Sequence, residues 1–200
     1  MKPQFLVGAL MPGSGQTLVA LGLMRALRNR GLHVQSFKCG PELAELRYHA
    51  LATDHEPANL DAWMASHTHL QTLYNGYGEK ADVCLVEGKG GLFDGFRKAQ
   101  GSGAELARLM RIPVVLVVSA RNAGYSTAAM LQGFKHFYTD LKIAGVIFNQ
   151  VTSAAQYGFL RETCAEAGVE CLGYLPLLED AGLPLRHQAH PDKYMSTNLL

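Results

Sequence analysis

The feature that most constrains this chain is a glycine-rich loop at residues 9–17, ALMPGSGQT, near the N-terminus. An apolar run at 5–10 leads into the loop and an amphipathic pattern at 18–27 follows it, which predicts a strand, a loop and a helix in succession. In that context small residues let backbone N–H groups turn inward around a phosphate, and the helix N-terminus adds partial positive charge. The pattern is therefore typical of a phosphate-binding loop.

Compared with the usual phosphate-binding loop, one position of this loop keeps the expected residue type and two positions depart from it. Thr17 stands where such loops place a hydroxyl that binds magnesium. Gln16 stands where they place a lysine that neutralises phosphate, and Leu10 replaces the first glycine. A glycine-rich turn can also be a plain connection between strand and helix. From these residues alone, an active nucleotide site and an inactive remnant are both open readings.

The alternation of apolar and amphipathic segments predicts the fold class. We expect strands at 5–9, 33–39, 82–87, 112–119, 143–149 and 169–175, and helices at 17–29, 68–77, 104–110, 126–137 and 154–167. Between them, 42–47 reads as an acidic loop and 48–52 as one helical turn. Strands that alternate with helices imply right-handed βαβ crossovers. The predicted fold is α/β, a mostly parallel sheet with helices on both faces, of the P-loop NTPase type.

Length and composition narrow the class of protein. The 200 residues suit one domain with a full core, and the formal net charge of +1 gives no sign of a nucleic-acid partner. No apolar run approaches the roughly 18 residues that a membrane span needs. The four cysteines have no metal-binding or redox spacing. We therefore expect a cytoplasmic protein with reduced thiols that binds neither nucleic acid nor membrane.

Polar residues end four of the predicted strands. Lys38 lies at the end of the second strand, and Glu87 ends the third, just before a glycine-rich loop at 88–103. Ser119 and Asn149 end two later strands. Because ligands bind at the carboxyl ends of parallel strands, these four ends beside one phosphate loop predict a common site.

Segments along nearly the whole chain carry a family resemblance. They are 21–27 (LGLMRAL), 37–41 (FKCGP), 59–64 (NLDAWM), 86–88 (VEG), 91–95 (GLFDG), 104–109 (AELARL), 113–118 (PVVLVV), 144–149 (AGVIFN), 183–184 (LP) and 186–187 (RH). In this order they resemble the N-terminal ATP-binding domain of the cobyrinic acid a,c-diamide synthases. The chain is more distantly similar to dethiobiotin synthetase and to the MinD/ParA-type P-loop proteins.

The resemblance implies an activity. Members of that family use ATP to phosphorylate a peripheral carboxylate of a tetrapyrrole, and ammonia then displaces the phosphate to give an amide. A C-terminal amidotransferase domain with a cysteine nucleophile releases the ammonia from glutamine. The implied cofactors are ATP and Mg²⁺, and the implied partners are a tetrapyrrole-type carboxylate, a separate glutaminase domain or subunit, and a second copy in a homodimer.

The resemblance also divides the chain. It assigns 1–182 to the P-loop ATP-binding, synthetase-like domain, and 183–200 to a tail or the start of a linker to a glutamine amidotransferase domain. That second domain is absent from the 200 residues. Either an excised domain or a protein without its own glutaminase would give this pattern.

Roles for individual residues follow from the resemblance. The nucleotide-binding positions are Gly13, Ser14, Gly15, Gln16, Thr17 and Asn149, the last at the adenine. The magnesium ligands are Thr17, Glu42, Glu87 and Asp94. Asp94 has a second reading, in which it orders the glycine loop. Lys38 is a catalytic candidate that faces the transferring phosphoryl group or the substrate carboxylate, where a fixed positive charge lowers the barrier.

The chain departs from the family at several of these positions. Besides Gln16, the family's aspartate after the fourth strand is Ser119, and its Tyr-Ile-Asp-Pro run is LAEL at 43–46. Glu42 replaces an aspartate and is one methylene longer. Lys89 occupies a position that is apolar in the family. We hypothesise that Lys89 is a second catalytic residue, which reaches the phosphate site and substitutes for the missing lysine.

Two functions of different classes remain. The first is an ATP- and Mg²⁺-dependent amide ligase that activates a tetrapyrrole carboxylate. The second is a catalytically inactive binding module, derived from a P-loop protein, that recognises a nucleotide, a tetrapyrrole or a protein partner. Gln16, Ser119 and the short chain favour the module. The ligase is favoured by the residues that could bind metal or phosphate: Thr17, Lys38, Glu42, Glu87 and Asp94.

A few conspicuous residues are interpreted as structural. Asp61 is expected to cap a turn, and Trp63, the only tryptophan, is expected to anchor the core. The histidines at 49, 55, 67 and 69 show no ligand spacing on a clear helix. We therefore predict that these histidines do not form a metal site.

Overall fold

Seven strands form one parallel sheet in residues 2–178, the part of the chain that the computed structural model describes. The strands are β1 (Gln4–Ala9), β2 (Val34–Cys39), β3 (Ala58–Leu60), β4 (Val83–Glu87), β5 (Val114–Ser119), β6 (Ile143–Val151) and β7 (Cys171–Pro176). Their order across the sheet is β3-β2-β4-β1-β5-β6-β7. Every neighbouring pair is parallel, which confirms the predicted class.

Helices cover both faces of this sheet. They are α1 (Gln16–Asn29), α2 (Leu46–Thr53), α3 (His67–Gly78), α4 (Gly103–Met110), α5 (Ser126–His136) and α6 (Ala154–Glu166), with a 3₁₀ helix at Leu43–Glu45. Val19 and Met24 of α1 and Ala52 of α2 pack in one core cluster. Leu70 of α3 and Leu106 of α4 pack in the other cluster, together with residues of α5 and α6. The central strands are apolar on both faces because both faces are buried.

The region between β2 and α3 differs from the prediction. Residues 43–53 form the 3₁₀ helix and the two turns of α2, not an acidic loop and a single turn. His49, Ala52 and Thr53 give α2 a buried face, so tertiary packing stabilises a helix whose sequence pattern is weak. The strand β3 was not predicted, because three residues are too short to show an alternating pattern.

Two structural interpretations have opposite outcomes. Asp61 is buried and its Oδ1 accepts a hydrogen bond from the backbone N–H of Trp63 at 2.9 Å, so the capping role is confirmed. The core role of Trp63 is wrong, because its side chain is 68% exposed. The capped turn that follows β3 directs the tryptophan outward, which depends on the path of the backbone and not on residue type.

Three further expectations concern the domain boundary, the cysteines and membrane-spanning segments. The domain boundary at 182 and the tail at 183–200 lie outside the described residues. All four cysteines (Cys39, Cys84, Cys164, Cys171) are free thiols. In the described part of the chain, none of the helices is both long and apolar enough to cross a membrane.

Candidate active site

The glycine-rich loop joins β1 to α1 and has the backbone of an anion cradle. Gly13 and Gly15 both have left-handed φ values, 82° and 83°, which direct successive N–H groups inward. No side chain caps the N-terminus of α1, so its first N–H groups are oriented toward the loop. A Cβ at Gly15 would also collide with the amide of Asn149. Gly13 therefore requires glycine for its conformation, and Gly15 requires it for both conformation and space.

Asn149 lies underneath this loop. Its side chain is 2% exposed, and its Nδ2 donates a hydrogen bond to the carbonyl oxygen of Ser14 at 3.0 Å. The residue thus ties the end of β6 to the phosphate loop and fixes the loop's position. The predicted contact between Asn149 and an adenine stays a prediction.

Gln16 begins α1 at the position of the missing lysine. Its side chain is buried and its Nε2 lies beside Gly88, the residue that follows β4. Among the described residues, its Oε1 has no hydrogen-bond partner. A buried, unpaired polar atom costs about 1–3 kcal/mol. The loop therefore carries a neutral amide with an unpaired oxygen where a positive charge would stand.

Thr17, Lys38 and Glu87 meet beside the loop. The Oγ1 of Thr17 donates to Oε1 of Glu87 at 2.6 Å, and Nζ of Lys38 lies 3.0 Å from the same oxygen. Lys38 and Glu87 are direct partners in the register of β2 and β4, which is why two distant segments bring them together. Of the four predicted strand ends, those of β2 and β4 thus meet beside the loop.

Lys38 is surrounded by acceptors. Its Nζ lies 2.7 Å from Glu45, 3.5 Å from Glu42 and 2.7 Å from the carbonyl oxygen of Gly88, in addition to Glu87. Burial alone would lower the pKa of Lys38, but Glu87 and Glu45 raise it above its usual value. Three carboxylates therefore face one ammonium group, and the pocket is favourable for a further cation.

Glu87 is the centre of this pocket and is fully buried. Burial alone would raise its pKa, but a hydrogen bond from His49, the charge of Lys38 and the hydroxyl of Thr17 lower it to about 2. The carboxylate is therefore ionised over the whole physiological range. Glu45 differs, because burial raises its pKa and Lys38 offsets this only in part.

His49 also belongs to this pocket and was not among the predicted site residues. Its side chain is completely buried, and its Nε2 lies 2.6 Å from Oε2 of Glu87. Glu45 and His49 are four residues apart, so a helix through this region places both on one side. This spacing was a signal in the sequence, but it has meaning only once residues 43–53 are known to be helical.

The other predicted site residues lie apart from these contacts. Asp94 accepts a hydrogen bond from the backbone N–H of Gly91 at 3.1 Å, which supports its reading as a residue that orders the glycine loop. Lys89 is half-buried, and its aliphatic stem packs against Gly40. Ser119 donates to the side chain of Gln150 at 2.8 Å. Metal binding by Asp94 and phosphate binding by Lys89 stay predictions.

The donor set suits a metal that arrives with a phosphate. Among the described residues, no three or more His, Cys, Asp or Glu side chains are grouped to hold an ion alone. Thr17 and Glu87 offer two adjacent oxygen atoms at the mouth of the phosphate loop. Mg²⁺ is bound through one or two protein oxygens plus phosphate oxygens and water in many nucleotide sites. These residues therefore fit Mg²⁺ as part of a nucleotide complex.

The fold and the loop together define a P-loop-type α/β domain. The chain belongs to the CobQ/CobB/MinD/ParA nucleotide binding domain family, CbiA, whose family model matches residues 9–189.

Similar proteins include the hydrogenobyrinate a,c-diamide synthase of Mycobacterium tuberculosis, which is 42% identical over 187 residues, 90% of this chain and 41% of the relative. The cobyrinate a,c-diamide synthase of Listeria monocytogenes is 37% identical over 200 residues, 98% of this chain and 44% of the relative. The chain thus spans roughly two fifths of the length of these relatives.

A solved structure supports the fold independently. The chloroplast FtsY of Physcomitrella patens matches with a TM-score of 0.51 and 17% identity, over 84% of this chain and 55% of that one. Identity this low supports the shared architecture alone.

Proposed function

We propose that this chain is the nucleotide-dependent part of an a,c-diamide synthase, which uses ATP and Mg²⁺ to activate a tetrapyrrole carboxylate for amidation. The observation that carries the proposal is the buried contact of Thr17, Lys38 and Glu87 beside the phosphate loop. The similarity to named a,c-diamide synthases over most of the chain supports the proposed substrate class.

The proposed reaction has two steps. A carboxylate oxygen of the substrate attacks the γ-phosphorus of ATP, the bond to the bridging oxygen breaks, and ADP leaves. Ammonia then attacks the carbonyl carbon of the acyl phosphate, phosphate leaves, and the nitrogen loses a proton to give the amide. In this scheme glutamine-derived ammonia comes from a glutaminase domain or subunit outside these residues.

The residues of the chain would hold the charges of the first step. The backbone N–H groups of 13–17 bind the phosphates, and Thr17 and Glu87 hold Mg²⁺, with Glu42 at the edge of the pocket. Bound Mg²⁺ would neutralise negative charge that develops on the phosphate oxygens. Catalysis of phosphoryl transfer consists mostly of such positioning and charge stabilisation.

Lys38 would supply positive charge in place of the lysine that Gln16 replaces. Its Nζ donates hydrogen bonds to Glu87 and to the carbonyl of Gly88, and it forms an ion pair with Glu45. For Lys38 to reach a phosphoryl oxygen, one donor has to leave its partner. Glu45 is the most exposed of these side chains and lies on the short 3₁₀ helix, so we expect it to be released first.

Calorimetry on the 200-residue chain tests the proposal. We expect binding of ATP in the presence of Mg²⁺, and release of ADP when a tetrapyrrole with free side-chain carboxylates and ammonium chloride are added. Ammonium chloride supplies the ammonia directly, so the result does not depend on a glutaminase. No detectable heat at millimolar ATP would contradict the proposal.

The binding module is the second candidate function, and one observation favours it. At Gln16 the loop has a buried neutral amide instead of a lysine, and that lysine is central to catalysis in P-loop enzymes. Binding of ATP or of the tetrapyrrole without any release of ADP in the same experiment would support this candidate over the ligase.

A further inference from the structure

His49 makes a contact that the proposed reaction does not use. Its ring comes from α2, is completely buried, and places Nε2 at 2.6 Å from Oε2 of Glu87. We propose that His49 is a positioning residue that leaves Glu87 one oxygen for a metal, and so makes the site select Mg²⁺ over Ca²⁺. This inference rests on the proposed function, in which Thr17 and Glu87 hold the metal of a nucleotide complex.

The two oxygens of Glu87 have different environments. Oε1 accepts from the hydroxyl of Thr17 at 2.6 Å and from Lys38 at 3.0 Å. Oε2 is bound to His49. The carboxylate is therefore held from both ends, and rotation that turns both oxygens toward Thr17 would break the contact with His49.

This difference between the oxygens affects the choice of metal. Ca²⁺ accepts six to eight ligands in flexible geometry and commonly takes both oxygens of one carboxylate. Mg²⁺ demands near-octahedral geometry with short distances, which one oxygen of a carboxylate satisfies. A glutamate held with one oxygen facing the site is thus suited to Mg²⁺ and is a poorer ligand for Ca²⁺.

The helix that carries His49 is joined to the helix that carries Thr17. Thr53 donates a hydrogen bond to the backbone carbonyl of His49 at 3.0 Å, one turn along α2. Arg25 of α1 donates to the carbonyl of Leu51 at 2.5 Å, which joins α2 to the helix that begins beside Thr17. Two linked helices therefore supply the groups on the two sides of Glu87.

Of the two ring nitrogens of His49, only Nε2 has a hydrogen-bond partner among the described residues. Within the described residues, Nδ1 of His49 is buried without a hydrogen-bond partner. An ionised carboxylate can only accept, so Nε2 is the donor. The hydrogen bond from Nε2 is directed at Glu87, which is the ring's one hydrogen-bond partner among the described residues.

Calorimetric titrations of the 200-residue chain with Mg²⁺·ATP and with Ca²⁺·ATP test this inference. His49→Phe keeps a ring without a donor, His49→Asn keeps an amide that is too short to reach, and His49→Gln keeps a donor at similar reach. Thr53→Val is the matched control, since it removes a buried hydrogen bond of α2 without touching Glu87. Circular dichroism and thermal unfolding verify that each variant folds.

For the Phe and Asn variants we expect the ratio of Mg²⁺·ATP to Ca²⁺·ATP affinity to fall by about tenfold, the lower end of the usual effect of removing a group that orients a metal ligand. For the Gln variant and for Thr53→Val we expect a ratio near that of the unmodified chain. A purely structural histidine would change stability in these variants but leave the ratio unchanged.

The outcomes separate the inference from the proposed function. If the unmodified chain binds neither complex, the proposed function fails and the inference fails with it. If the unmodified chain prefers Mg²⁺·ATP and either the Phe or the Asn variant keeps that preference, the inference alone is overturned. Two non-donating variants are used so that misfolding of one still leaves a decisive result.

Discussion

The phosphate loop lies on one side of Thr17 and the buried charged pocket on the other, and the two differ in how much their structure depends on particular side chains. On one side, the phosphate loop has lost its lysine, and its cradle is formed by the backbone at Gly13 and Gly15. On the other side, Lys38, Glu87 and His49 are buried, and Lys38 and His49 both contact Glu87. Backbone N–H groups bind an anion whatever side chain stands at position 16, whereas a buried pocket of charges depends on every member.

This difference explains how a substitution such as Gln16 is compatible with the rest of the site. A neutral amide in place of a lysine leaves one polar atom unpaired but no buried charge. Loss of Lys38 or Glu87 would leave uncompensated charges in a region without access to water. The predictions below test this contrast between the tolerant loop and the coupled pocket.

The largest expected effect is on stability, from Glu87→Ala. The change leaves the ammonium of Lys38, the hydroxyl of Thr17 and the ring of His49 without their common acceptor. Breaking a buried pair in this way costs about 3–5 kcal/mol. Urea unfolding measures the loss in free energy of unfolding.

The control for this change is Asp140→Ala, which breaks the exposed ion pair with Arg108. Exposed pairs contribute about 0–1 kcal/mol, so we expect little change. If Glu87→Ala cost no more than this control, the pocket would not be energetically coupled, and the contrast with the loop would disappear.

The pH dependence of stability is the next largest effect. The pKa of Glu87 is about 2 in the folded chain, against an ordinary value of 4.5. A lowered pKa contributes stability that is fully present above the ordinary value and is lost as the pH falls toward 2. The shift corresponds to about 3 kcal/mol in total.

Glu87→Gln isolates this contribution, because glutamine mimics the size of the protonated acid. Urea unfolding of both proteins between pH 6 and pH 2 should show the advantage of the unmodified chain shrinking as the pH falls. A constant difference over that range would mean that Glu87 is not the ionised centre of the pocket.

The third prediction concerns the phosphate loop, where we expect the substitution to strengthen nucleotide binding. Gln16→Lys restores a positive charge beside the β- and γ-phosphates, and we expect it to raise the affinity for Mg²⁺·ATP by about tenfold. Gln16→Met has a similar length without charge and should give no gain. Calorimetry measures both, and equal affinities for the Lys and Met variants would show that charge at position 16 is unimportant.

The sequence was sufficient for the fold class and for most of the pocket. The apolar runs of β4 and β5 and the glycines of the loop are local signals, and they led to Thr17, Lys38 and Glu87 at the strand ends. His49 was missed because its role depends on a short helix that tertiary contacts stabilise. The outward position of Trp63 likewise depends on the path of the backbone after β3.

The smallest expected effect tests whether Lys89 compensates for Gln16. Lys89 follows Gly88, which lies beside the amide of Gln16, and its stem packs against Gly40. A half-exposed charge near a phosphate contributes up to about 1 kcal/mol, so we expect Lys89→Ala to weaken binding of Mg²⁺·ATP by about fivefold. Lys142→Ala, an exposed lysine just before β6, changes the net charge equally and should have no effect.

The sharper form of this test combines the two positions. If Lys89 substitutes for the missing lysine, its removal should matter less once Gln16→Lys has restored that charge, so the two changes will not be additive. Calorimetry on the four combinations of the two sites measures this coupling. Equal effects of Lys89→Ala in both backgrounds would mean that the loop receives no help from Lys89, and that any positive charge on the phosphates comes from Lys38 and the metal.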